Sequence, residues 1–576
     1  MGSICARKRG DKTYYVYQEA YRVKLDPSSQ GKRKGSGKSA VRTKATYLGT
    51  AESIVKRLSA TREPLAVSSR QFGLVAAAYQ TAHEIGLPDI LMRYIPGDRG
   101  GIARWTYYLV SIINRLDHAT SKNRMSEWLD DTILPELLRI DPRNLSGKNF
   151  WYVADDVVSE DELRRKRDLL SLQEDPLVGM SGDTFNKIEM DLFTNIDTMM
   201  NLSPNAICYD TTNLYTYIEE PTRSQLARTC NSKHCKHHLK HVGLLMAVER
   251  THGIPLVSNV YQANRHDSKV FSCILADLVV SLKQMCGEQS DLVIVLDKGN
   301  NSKENFKSMQ GEISWVGSLV PSHHKDLMDL DLSSYQGFWK DYRYFRCQRT
   351  VMAIPCAVVL TFNPATKRKK EHSLSRGIER LKKDLTERWN TYKRTPKSVT
   401  PGLLSIQRDS HYGTCLSVSV SDGQLDIKEN KDEIEKRQKG FGKNLIFSNM
   451  LEAETGHIVD TYHCRNIIEN DFQLLKDHTI IRFRPIRHWT DSKIRAYAFC
   501  CVAALTLMRV MQWKAQQAGY QISPGLLKEE LSDIKQVIML YDSNQAKRRI
   551  ADISTVQSKL WNIFKLAEVE NLMLQH

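Results

Sequence analysis

Four residues in one stretch of the chain combine a carboxylate, two cations and a phenol at spacings suited to phosphate chemistry. The stretch is Thr461 to His478, TYHCRNIIENDFQLLKDH. It has no Pro or Gly and its apolar residues recur at helical spacing, which predicts one helix. At about 100° per residue, Tyr462, Arg465, Glu469 and Lys476 fall within an arc of roughly 60°. Ile467, Ile468, Leu474 and Leu475 cluster on the opposite side, which would be buried. A carboxylate can hold a divalent cation, and flanking cations can hold the phosphates on which it acts. An ordinary surface pair of Arg465 with Glu469 would explain two of the four residues, so the chemical reading needs carboxylates from elsewhere.

They occur where the chain turns from helical to strand-like patterning. From Asn205, AICYDTTNLYTY (206–217) reads as a strand in which Asp210 follows a short apolar lead. VGLLMAVER (242–250) and IPLVSNVYQ (254–262) follow as strands, then DSKVFSCILADLVVSLKQM (267–285) as a helix. DLVIVLDKGN (291–300) is an apolar run, expected to be a fully buried strand, that ends at Asp297. SKENFKSMQ (302–310) predicts a helix and SWVGSLV (314–320) a further strand. The order is strand, strand, strand, helix, strand, helix, strand. Ligands of open sheets bind beyond the strand ends, so Asp210, Asp297 and Glu469 are candidates to converge. Taken singly, each Asp reads better as a structural residue closing a strand.

These elements sit inside a longer architecture. At 576 residues the chain needs several domains. Composition and patterning divide it into a basic β-hairpin region (1–65), a helical DNA-binding region (66–204), the first part of a sheet core (205–320), a β-containing insertion (321–440), the rest of the core with the Glu469 helix (441–500) and a helical C-terminal region (501–576). The hairpin is expected from strands at 14–25 and 40–48, with Lys32, Arg33, Lys34 and Lys38 in the loop between them. The insertion carries a basic helix, KRKKEHSLSRGIERLKKDLTERWNTYKR (367–394).

The net charge is +16 with pI near 9.1, which favours a polyanionic partner. The first sixty residues hold 14 Lys/Arg against 4 Asp/Glu, so +10 of the excess lies there. The 12 cysteines follow no framework spacing and no apolar leader opens the chain. A reducing, intracellular setting with free thiols is expected. The longest apolar run, Ala496 to Met508, is too short to span a bilayer and predicts a buried helix; no membrane partner is expected.

Asp210, Asp297 and Glu469, in that order, resemble the acidic residues of the DDE transposases of bacterial insertion sequences. That group carries the RNase H-like fold also seen in retroviral integrases. Tyr462, Arg465, Glu469 and Lys476 match its signature, Tyr-x2-Arg-x3-Glu-x6-Lys, at every spacing. YDTTNLYTY, HLKHVGLLMAVERTHGIPL, NRHDS and RPIRHWTDSKIRAYAF also look like that family's neighbourhoods. The second acidic residue departs from the usual context, standing in Asp297-Lys298-Gly299-Asn300-Asn301, and no Trp follows it closely; Trp315 is expected in the core.

The resemblance implies a multidomain α+β protein whose mixed-sheet α/β core is RNase H-like. It implies two Mg²⁺ ions, with Mn²⁺ as a substitute, Asp210 bridging both and Asp297 and Glu469 each on one. Arg465 and Lys476 would hold DNA phosphates, with Tyr462 donating to a phosphate oxygen. Water would nick the element's terminal inverted repeats, and the released 3′-hydroxyl would attack target DNA. A homodimer in a synaptic complex with transposon ends and target DNA, in the bacterial cytoplasm at the nucleoid, follows from the same likeness. Two rivals stand beside it: a metal-dependent nuclease without strand transfer, and a catalytically inactive DNA-binding derivative. Weaker signals carry bland readings. Cys230, Cys235, His237 and His238 fit no strong zinc spacing. His266 and Asp267 are expected as caps or turn residues, and Cys500 and Cys501 as buried thiols.

Overall fold

A computed structural model describes residues 2–24, 39–59, 64–169, 183–202, 205–220, 222, 224–230, 238–286, 292–392, 396–421, 424–541 and 545–574. They fall into two units: Met1–Ser69 with Gln536–Ile550, and Arg70–Lys535 with Ala551–His576.

In the smaller unit, strands Gly2–Arg9, Lys12–Lys24 and Ser39–Thr50 form an antiparallel sheet. The two strands of the anticipated hairpin are joined by a third that precedes them. Lys32, Arg33, Lys34 and Lys38 lie outside the described residues. The C-terminal region, expected to be helical, contains a hairpin instead: Lys535–Tyr541 pairs antiparallel with Gln545–Ile550. Val537, Ile538 and Tyr541 are strand formers, and their local preference outweighs the helical pattern on either side.

The larger unit is built on one mixed sheet. Its elements in chain order are β1 (Ala206–Tyr215), β2 (Lys240–Glu249), β3 (Pro255–Gln262), α1 (Asp267–Cys286), β4 (Val293–Leu296), α2 (Lys303–Met309), β5 (Ser314–Ser318), β6 (Gly337–Trp339), β7 (Tyr342–Val351), β8 (Ile354–Phe362) and β9 (Lys443–Ser448). The strand order is β3-β2-β1-β4-β5-β9-β8-β7-β6, with the short strand Arg228–Thr229 beside β2. β1, β2 and β3 are antiparallel neighbours. β4 lies between parallel partners β1 and β5, and all four of its residues are buried. This is why Val293-Ile294-Val295-Leu296 is a continuous apolar run and does not alternate.

The inserted segment begins later than the sequence suggests. β6, β7 and β8, expected inside a separate insertion from residue 321, continue the main sheet. β9 pairs with β5 on one side and β8 on the other, and that pairing spans some eighty residues. Only the helices Pro364–Tyr392, Pro396–Asp409 and Lys431–Lys439 and the hairpin 416–429 stand apart. They share their own core of Leu374, Ile378, Leu381, Leu385, Trp389, Leu403, Cys415 and Leu416.

After β9 come α3 (Thr455–His463), α4 (Asn466–Lys476) and α5 (Asp491–Gln517). α5 is long and apolar enough to cross a membrane, yet 94% of its apolar window is buried inside the protein. Helices Gly73–Glu84, Arg104–Leu116 and Gly147–Leu169 pack on it.

α4 is fixed to α5 by a buried ion pair. Arg509 Nε donates to Asp471 Oδ1 at 2.7 Å, and Asp471 is fully buried. Gly253, in the β2–β3 turn at φ +69°, lies so close that a Cβ there would stand 2.9 Å from Asp471 Oδ2. Burial pushes the Asp471 carboxyl up to about 7 against the pull of Arg509. Arg509→Leu leaves that charge unpaired and is expected to cost about 3–5 kcal/mol at pH 8. A folded-state pKa raised this far favours folding at low pH and loses that contribution as pH rises through 7. The defect should therefore shrink at pH 5, where Asp471 holds its proton. Calorimetric melting at both pH values checks it.

Candidate active site

The parallel register of β1 and β4 places Tyr209 opposite Leu296. Asp210, the next residue within β1, and Asp297, the residue that follows β4, are therefore neighbours. Asp297 precedes the 3₁₀ turn Lys298–Asn300, but its side chain does not cap that turn. Its carboxylate is turned instead to Arg465: Nη1 of Arg465 pairs with Asp297 Oδ1 and Nη2 with Glu469 Oε1. One guanidinium thus joins the second strand's acid to the helix's acid, and Asp210 feels the charges of both Asp297 and Arg465.

The helix carrying these groups is not continuous. The single helix expected over 461–478 is α3 and α4 with a tight turn at Cys464 and Arg465. There Arg465 N–H bonds to Tyr462 O and Ile467 N–H to Cys464 O, each three residues back. The Cys464 thiol donates to Thr461 O at 2.7 Å and lies 3.4 Å from Cys208 Sγ on β1. The turn therefore sits against the strand that bears Asp210. Both residues keep right-handed helical dihedrals, so the four signature side chains stay on one side of the segment.

Asp210 is the most perturbed acid of the cluster. Burial pushes its pKa up to about 7, and the charges of Asp297 and Asp267 act in the same direction. The Thr211 N–H, 2.8 Å from Oδ1, and Arg465 pull it down. Glu469 is more open, with 45% of its side chain exposed. Lys476, at the end of α4, donates from Nζ to Thr212 Oγ1, on the same face of β1 as Asp210. Tyr462 is buried, with its ring 5.6 Å from the Arg465 guanidinium carbon. Its hydroxyl was the expected phosphate donor, and its observed contact is with Arg465.

Three carboxylates against one guanidinium leave the cluster with an excess of negative charge, and every donor is a hard oxygen. That chemistry suits Mg²⁺ or Mn²⁺. Among the described residues, no three His, Cys, Asp or Glu enclose a single point as they stand. Arg465 occupies the space between Asp297 and Glu469. Of the weak zinc candidates, Cys235 and His237 lie outside the described residues. The ten cysteines whose side chains are described, Cys500 and Cys501 among them, are free thiols.

From the sequence Asp267 reads as a cap or turn residue, with a smaller chance of touching the site. It begins α1, but its charge reaches Asp210, and its Oδ1 accepts from the Tyr261 hydroxyl at 3.4 Å. Nothing in the spacing of NRHDS points to this, because the contact depends on how α1 meets the β4 turn.

A family model described as "Transposase DDE domain" matches residues 204–507. Among solved structures, the chain is similar to a piggyBac transposase synaptic complex with hairpin DNA at 11% identity and a TM-score of 0.37, covering 80% of this chain and 76% of that one. It is similar to a Mos1 transposase paired-end complex with left transposon end at 9% identity and a TM-score of 0.14, covering 37% of this chain and 58% of that one. No curated protein matches the chain.

Proposed function

Because the chain belongs to the transposase DDE-domain family, we propose that Asp210, Asp297 and Glu469 are its catalytic acids and that it cuts and joins DNA at the ends of a bacterial insertion sequence. One observation carries this reading. One acid lies on β1, the second directly follows its parallel neighbour β4, and the third is tied to the second through Arg465. The strand order β3-β2-β1-β4-β5, antiparallel for the first three and parallel from β1 onward, supports an RNase H-like core.

Two divalent ions would polarise the scissile phosphate and stabilise both the attacking and leaving oxygens. Asp210 would serve both ions, with Asp297 and Glu469 each serving one. Arg465 offers a planar fork that fits a phosphate as well as it fits the carboxylates it now bridges. With DNA bound, it exchanges those carboxylates for a backbone phosphate. Lys476 adds a point charge beside Thr212, and Tyr462 fixes the orientation of Arg465. The water and the 3′-hydroxyl would attack in turn at the same place.

By charge alone, Lys32, Arg33 and Lys34, and separately the basic run Lys367 to Lys370 on the insertion helix, are candidates to contact transposon ends and target. A homodimer would hold two ends together in the cytoplasm of a bacterial host. The narrower reading, a nuclease without strand transfer, uses the same acids. The protein is incubated with Mg²⁺ and a duplex bearing the inverted repeats that flank its reading frame. Joined products are the expected result; nicks alone would leave the nuclease, and bound but uncut DNA would overturn both.

A further inference from the structure

The acidic cluster has a fourth member that the family assignment does not use. Asp267 opens α1, the helix that follows β3. Its Oδ2 lies so close to the turn after Asp297 that a Cβ built on Gly299 would stand 3.2 Å away. Its Oδ1 accepts from Tyr261 on β3. Tyr261 is buried, and its ring covers Gly243 of β2, where a Cβ would meet the ring at 2.4 Å. The Asp267 carboxylate thus accepts from a phenol fixed in the sheet on one side and lies against Gly299 of the Asp297 turn on the other.

A first-turn acid is ordinarily explained by the helix dipole, but that does not account for its surroundings here. The charge of Asp267 acts on Asp210, on Tyr261 and on Tyr209, the β1 residue preceding Asp210. The Tyr209 hydroxyl is buried without a hydrogen-bond partner. A carboxylate whose charge acts on a neighbouring carboxylate is repelled by it, so a cation between them makes its placement more favourable.

We propose that Asp267 is a positioning residue of the reaction centre: it holds the Asp297–Gly299 turn against β1 and adds its charge to the affinity of the site for divalent cations. This rests on the DDE reading given above. Carboxylates that orient metal ligands in this way typically change affinity by about 10–100-fold.

The test is Mn²⁺ binding to the full chain without DNA, followed by electron paramagnetic resonance of free Mn²⁺. Asp267→Asn is expected to weaken binding about 10–100-fold while its melting temperature in chelator stays at or above that of the parent, because a repelling charge is gone. Tyr261→Phe, which removes the hydroxyl that holds Asp267, should weaken binding several-fold. It carries the test if Asp267→Asn does not fold. Asp210→Asn is the reference and should lose the high-affinity ions. Parental affinity in both Asp267→Asn and Tyr261→Phe, with loss in Asp210→Asn, overturns this inference alone. Parental affinity in Asp210→Asn overturns the DDE reading, and this inference with it.

Discussion

Asp210→Asn is expected to abolish DNA cleavage and, in the same protein without metal, to raise its melting temperature above pH 7. The two effects share one cause. Burial, reinforced by the charges of Asp297 and Asp267, pushes the Asp210 carboxyl up to about 7. The anion is therefore an uncomfortable state of the metal-free fold, and only a cation makes it favourable. An amide keeps the shape and the hydrogen bond from the Thr211 N–H but carries no charge for an ion. Activity should fall on the order of 10³-fold or more.

The sign of the stability effect follows from the direction of the shift. With a folded-state pKa above the ordinary 3.8, the parent is most stabilised by this group below pH 4 and loses that contribution as pH rises through 7. Asparagine has no such loss, so the variant should gain about 1–3 kcal/mol at pH 8 and nothing at pH 4. Calorimetry in chelator at the two pH values, beside a cleavage assay, reads both effects. A variant that melts below the parent at pH 8, or that still cuts, contradicts this account of Asp210.

Arg465→Met should lower cleavage on the order of 10²-fold or more and alter how the fold responds to metal. Arg465 meets Asp297 with one nitrogen and Glu469 with another. Removing the guanidinium leaves two neighbouring carboxylates with no counter-charge, so the metal-free protein should melt earlier. Mg²⁺ should then stabilise the variant more than the parent, because no side-chain cation competes for the same oxygens. Arg465→Lys should not restore cleavage, since a single ammonium cannot span both partners in the plane of a fork. Thermal melts with and without Mg²⁺ separate this role from simple DNA contact; a Lys variant with parental activity would sink it.

Much of this arrangement could be read from residue types. The run Val293 to Leu296 announces a strand buried on both faces, and the acid that ends it announces a strand terminus. The arc of Tyr462, Arg465, Glu469 and Lys476 survives the break at Cys464 because both junction residues keep helical dihedrals. For the same reason periodicity could not reveal the break, which depends on a thiol contact with Cys208, more than 250 residues away. Long-range pairing hid two other features. The stretch 341–362, which holds β7 and β8, reads as extended chain, but the membership of β6 to β8 in the main sheet is decided by β9. The role of Asp267 depends on Gly299 and Tyr261, which no local pattern connects to it.

The ion pair between Asp297 and Arg465 spans 168 residues of chain. At synthesis rates of about 5–20 residues per second that distance is about 10–30 s of translation. During that interval the emerging polypeptide owns β1 and β4 but lacks the helix that completes the cluster. Such a long closure is entropically slow to form, and the ribosome must release residue 476 before it can begin. The acidic cluster is therefore completed late in the life of the nascent chain, after the helices ahead of residue 200 have had time to fold.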